Sequence, residues 1–203
     1  MTEIPTVGAF DKILNGSDLA KDIGGLIFDY LSPSNLHRLK RTCKRMKVTV
    51  ESYIAGRFSI NGHLTRFFKN PQEFRSLQAR TATLISGSSA LQFFNRVTYE
   101  DSDLDLYTHY NHRHEVGHWL IQNGFVYKPN SMQDPDFDIA CQNCIHPELE
   151  LQYNMRSVSA VLNFTKIPSQ GAAELKVQVI VVCRAPIDAI LDFHSSKPFI
   201  PSS

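Results

Sequence analysis

The sequence predicts an α+β protein, with a small helical segment first and strands alternating with helices after it. Three observations carry this. Apolar residues recur at helical spacing from residue 17 to Phe58. From Thr83 onward, short β-rich runs and amphipathic helices take turns. Finally, 42% of the 203 residues are hydrophobic and 10% aromatic, enough for a packed core and too many for a disordered chain.

The helical segment begins at SDLAKDIGGLIFDYL, where Leu26, Ile27, Tyr30 and Leu31 share one face. Ser32-Pro33-Ser34 stops that helix, and Ser32 or Ser34 can cap the next. A second helix carries Leu36, Leu39, Cys43 and Met46 on one side. Its other side carries Arg38, Lys40, Arg41, Lys44, Arg45 and Lys47. That basic run reads as a solvated helix face, with phosphate contact as the alternative. Val48–Phe58 continues as a third helix with Val50, Tyr53, Ile54 and Phe58 inward.

Residues 60–83 form a connector that Pro71 breaks, with a short helix from Gln72 to Arg80. Thr83–Ser86 reads as a strand, and Ser89–Asn95 as a helix with Leu91, Phe93 and Phe94 as its apolar residues. A strand, Leu104–Thr108, precedes a helix, His112–Asn123, that Gly124 closes as a C-cap glycine. Phe125–Lys128 is a further strand. Residues 157–167 and 175–183 are β-rich runs joined by the turn-rich PSQGAAE, a natural hairpin, and Ile187–Phe193 is a last short helix. The domain plan is a flexible N-terminus over 1–16, a helical segment over 17–70 and an α/β domain over 71–203.

The bulk numbers narrow the function. A net charge of +1 gives no whole-chain case for nucleic-acid or membrane binding. No run approaches the ~18 apolar residues of a membrane span. MTEIPTVGAFDKILNG has neither the basic nor the apolar region of a signal peptide. The expected location is therefore intracellular, cytoplasmic or nuclear, with Cys43, Cys141, Cys144 and Cys183 as free thiols.

The chemistry concentrates in LISGSSALQFFNRVTYEDSDLDLY. Strand, glycine turn, helix is a phosphate cradle, because a helix N-terminus offers unpaired N–H groups and partial positive charge. Gly87 permits close approach and the Ser88 hydroxyl adds a donor. Asp103 and Asp105 lie two apart, so a strand puts both carboxylates on one face. Two converging carboxylates suit Mg²⁺, which takes few protein carboxylates together with substrate phosphate oxygens. The alternative is a strand entered from an acidic loop of Glu100, Asp101 and Asp103.

GSSALQFF followed by SDLDLY resembles the signature of the nucleotidyltransferase fold, the superfamily of polymerase-beta-like enzymes. That resemblance implies a mixed sheet flanked by helices, Gly87 and Ser88 holding the phosphates of a nucleoside triphosphate, and Asp103 and Asp105 holding Mg²⁺ as catalytic acids. Active families add a third acid on a later strand. Gln178 occupies the matching position in KVQVI, and Asp138 in FDI is a possible substitute. Glutamine hydrogen-bonds but brings no charge, which implies binding with weak or absent nucleotidyl transfer.

The helical segment, through IFDYLSP and NLHRLKRTCKRMKVTVESYI, resembles an F-box, a module that docks on the Skp-type adaptor of a cullin ubiquitin ligase. Asp22-Ile23-Gly24-Gly25 stands where the usual Leu-Pro opening belongs. A helical cap on the larger domain is the other reading. Most of residues 20–196 is similar to a group of uncharacterised fungal proteins that join these two parts. Those relatives continue past FHSS, which implies a shortened form here.

Two further constellations invite metals. Cys141-Gln-Asn-Cys144-Ile-His146 offers three soft ligands, but a structural zinc wants four, and core or loop thiols are the plainer reading. His114-Glu115-Val116-Gly117-His118 matches the HExxH of zinc proteases. The sequence supplies no evident third ligand or substrate-binding edge strand, and the strand before it fits the other fold. Lys128 and Arg184 can contact a triphosphate or stand as surface charges.

Overall fold

The computed structural model describes residues 18–97, 99, 101–144, 158–168 and 173–195. The expected N-terminal segment 1–16, Glu100, His146, most of the hairpin turn and the residues after Ser195 lie outside the described residues. The chain divides into two compact units, Met1–Ser59 and Ile60–Ser203.

The first unit contains α1 (Asp18–Asp29), α2 (Pro33–Leu39) and α3 (Lys44–Arg57). Ser32 caps α2, its hydroxyl accepting from the Asn35 N–H at 3.2 Å, and Pro33 takes a first-turn position where its missing N–H costs nothing. The expected second helix is split. Cys43 adopts an extended conformation and caps α3, its sulfur accepting from the Met46 N–H at 3.4 Å. Cys43 is therefore exposed, and the anticipated stripe from Leu36 to Met46 belongs to two helices.

The small core consists of Phe28, Leu36 and Val50, with Leu31, Leu39, Tyr53 and Ile54 packed on it. Phe28 meets Tyr53 edge-on at 5.2 Å. The inward face of α1 differs from expectation: Leu26 is 58% and Tyr30 91% exposed, while Phe28 is buried. The buried positions of α1 are Gly24 and Phe28, four apart on one face, and the helix ends at Asp29 before Tyr30. Asp29 joins α1 to α3 by accepting from the Tyr53 hydroxyl at 2.6 Å and from Arg57. Arg38, Arg41, Lys44, Arg45 and Lys47 are exposed, as a solvated basic face requires.

The second unit contains α4 (Ile60–Leu64), α5 (Pro71–Thr81), β1 (Leu84–Ser86), α6 (Gly87–Asn95), β2 (Leu104–His109), α7 (Arg113–Gln122), β3 (Val126–Lys128), α8 (Phe137–Gln142), β4 (Val158–Lys166), β5 (Leu175–Val182) and α9 (Pro186–Ser195). This is a mixed five-stranded sheet flanked by helices, in the order β1-β2-β5-β4-β3. Only β2 and β5 run parallel; β1 pairs antiparallel with β2, and β4 with both β5 and β3.

Strand alternation gives the sheet two unlike faces. On one, Leu104, Leu106, Val177, Val179, Leu162 and Phe164 join the main core with Phe68 and Phe74, Val116 and Leu120 of α7, and Phe137 and Cys141 of α8. Three buried hydroxyls, Thr81, Thr83 and Thr108, form a chain beside it that ends on the Leu77 carbonyl. On the other face, Tyr107, Ile180, Val182 and Val161 pack with Ala189 of α9. The connector contributes to the main core through Leu64, Phe67 and Phe68. Among the described residues no helix is long and apolar enough to cross a membrane.

Candidate functional site

Beside the apolar patch under α9, the same sheet face turns polar. The strand register lines up Ser86, Asp105, Gln178, Asn163 and Lys128 across all five strands. In-register neighbours on adjacent strands share a face about 5 Å apart, so one row carries an acid, two amides and a lysine. Asp105 and Gln178 face each other directly across the parallel pair.

Gly87 closes the acidic end of this row. Because Ser86 pairs with Asp105, the chain turns into α6 beside the second acid. Gly87 has φ +68°, the left-handed region that glycine enters without strain. A Cβ there would lie 1.8 Å from Asp105 Oδ2, so only glycine lets the turn and the carboxylate coexist. Ser86 gives α6 no side-chain cap. The start of the helix thus lies beside the Asp105 carboxylate without a side-chain cap from Ser86.

The electrostatics match that crowding. Burial and, second, the neighbouring Asp103 charge push the Asp105 carboxyl up from 3.8 to about 6. Burial, then the Asp105 charge, also raises the Tyr107 hydroxyl. Among the described residues no lysine, arginine or histidine forms an ion pair with Asp103 or Asp105. Asp103 stands just before the first residue of β2, and its charge is felt at Asp105.

Supporting residues hold this corner in place, and the sequence did not single them out. Arg66 donates to the Tyr99 carbonyl at 2.7 Å and to the Ser102 hydroxyl at 3.2 Å, tying down the approach to Asp103. Gln92, 2% exposed, accepts from the Tyr99 N–H at 2.6 Å and donates to the Ser88 carbonyl at 3.2 Å. His63 Nε2 lies 2.9 Å from the Ser89 hydroxyl in the first turn of α6. Burial, then Arg66, lowers the His63 pKa and favours the neutral ring.

The inward residues of α6 are Ser89 and Gln92, whereas the apolar Leu91 and Phe94 are 59% and 64% exposed. Leu91 and Phe94 lie three apart on one helical face, and that face is the exposed one, so spacing carried no warning of it.

Asp138 does not join the row. It lies on α8, whose Phe137 and Cys141 pack on the Leu104–Leu106 side of the sheet, opposite Asp105. Its carboxylate instead contacts His118 Nε2 at 2.8 Å and His114 Nδ1 at 3.4 Å. Glu115, between those histidines in sequence, is turned to Arg80 and His112. Cys141 and Cys144 are buried thiols, and burial pushes Cys141 up to about 12.

No protein-family model, no curated protein and no solved structure matches the chain.

Proposed function

We propose that the second unit is a nucleotidyltransferase-fold domain that binds a nucleoside triphosphate with Mg²⁺. Asp103 and Asp105 hold the metal, Gly87 and Ser88 take the phosphates, and the uncapped start of α6 adds N–H donors. One observation carries the reading: Gly87 abuts the Asp105 carboxylate so closely that a single methyl group would collide with it. The metal, when bound, neutralises phosphate charge.

Gln178 sets the limit on chemistry. It faces Asp105 where a third acid would serve, and its amide brings no charge to a second cation and takes up no hydroxyl proton. The reading is therefore nucleotide binding with weak or absent nucleotidyl transfer. Calorimetry with ATP and Mg²⁺ on the wild type and on Asp103→Ala/Asp105→Ala tests it. Mg²⁺-dependent heat in the wild type alone is expected; none in the wild type removes the proposal.

A second reading concerns the first unit, as an F-box-type module that recruits a ubiquitin-ligase adaptor. Its support is a self-contained three-helix core that leaves Leu26, Tyr30 and Val48 58%, 91% and 69% exposed. Co-purification with a Skp-type adaptor tests it. Loss of the complex on Leu31→Ala is expected, and no complex at about micromolar concentration refutes it.

A further inference from the structure

The HExxH histidines gain a partner that sequence order concealed. His114 and His118 lie one turn apart on α7, so both rings leave the same helix face. Asp138 lies in the first turn of α8. Its neighbour Phe137 packs between the elements, with its ring 5.1 Å from His118 and 6.3 Å from His114. The two helices meet at Gly117, where a Cβ would fall 2.0 Å from Phe137 Cζ. Glycine at that position is thus what lets α8 bring its carboxylate up to the two rings. Asp136 fixes the start of α8 by accepting from the Asp138 and Ile139 N–H groups at 2.8 and 3.1 Å.

One ligating atom from each of His114, His118 and Asp138 lies within 4.8 Å of the other two. Ligands of a tetrahedral zinc, each ~2.0–2.2 Å from the metal, lie roughly 3.4 Å apart. The contacts of 2.8 and 3.4 Å to Asp138 are already near that spacing. Two imidazoles and one carboxylate suit zinc-class ions, whereas Mg²⁺ prefers an all-oxygen set. We propose that His114, His118 and Asp138 form a zinc-class site that pins α8 to α7, with water completing the coordination.

This site lies on the opposite side of the sheet from Asp105 and does not depend on nucleotide binding. It also departs from protease chemistry. In an HExxH enzyme the glutamate acts as general base beside the metal. Here Glu115 points away, its carboxylate held between Arg80 and His112. Cys141 is not part of the cluster, whose ligating atoms come from His114, His118 and Asp138.

The test is zinc titration of the tag-free full chain by calorimetry, with Co²⁺ as a spectroscopic probe. One equivalent of zinc is expected to bind, with ligand-field bands for Co²⁺ and no thiolate-to-metal absorption. His118→Ala and Asp138→Asn, both altered at half-exposed positions, should each weaken zinc binding by roughly tenfold or more. Asp103→Asn/Asp105→Asn should leave it unchanged, so failure here and failure at the nucleotide site are distinguishable. No binding, thiolate absorption with Co²⁺, or undiminished affinity in Asp138→Asn would each overturn the proposal.

Discussion

Replacing Asp105 by asparagine should make the protein more stable at neutral pH. The folded chain keeps the Asp105 proton up to about pH 6, while an unperturbed carboxyl releases it near 3.8. Between those values the folded state binds more protons than the unfolded state, so stability falls as pH rises and levels off above about 6. The difference corresponds to about 3 kcal/mol if none of it is screened. Asp105 is only partly buried, and solvent screening reduces the figure to about 1–2 kcal/mol.

Asparagine keeps the shape of the side chain and loses the charge, so Asp105→Asn should exceed the wild type by that amount near pH 7. The advantage should shrink toward pH ~4. Urea denaturation followed by Trp119 fluorescence measures it. Trp119 is the only tryptophan and packs against Phe68 and Phe74 in the core of the second unit. Comparing the two proteins across pH cancels the other carboxylates. Added Mg²⁺ should stabilise the wild type and not the variant. A variant less stable than the wild type near pH 7, or one with the same pH slope, would refute the reasoning.

Gly87→Ala should cost about 2–3 kcal/mol by the same denaturation assay, from left-handed strain plus the clash with Asp105. It should also abolish Mg²⁺-dependent nucleotide heat. Gln178→Asp places a third carboxylate opposite Asp105. It should tighten Mg²⁺ binding in calorimetry and lower metal-free stability near pH 7 by about 1 kcal/mol. Phe28→Ala removes the largest side chain from the three-residue core of the first unit and should cost about 3 kcal/mol there. Circular dichroism should report the lost helix while Trp119 emission holds.

Local pattern carried much of the architecture. The β1 and β2 runs, the glycine turn between β1 and α6, α7 with Gly124 after it, and the β4–β5 pairing lie close to where propensity and turn residues put them. These features depend on neighbours a few residues apart, and such interactions are written in order along the chain. Errors arose where a short-range cue competed with a packing choice. Cys43 became a cap instead of a helix interior, and α6 turned Gln92 inward. α8 was hidden in the turn-rich DPDFD, although Asp136 is a sound N-cap.

Residue order alone sets two carboxylates at strand spacing behind a glycine turn, with Asp103 just before the first residue of β2. It dictates equally that two histidines share a helix face, because both follow from the periods of strand and helix. What those pairs meet is settled by tertiary packing. Register put Gln178 opposite Asp105 and extended the row to Asn163 and Lys128. The close approach at Gly117 sent Asp138 to His114 and His118 and away from the acids. Sheet order and helix contact join residues many positions apart, and no local period encodes that choice.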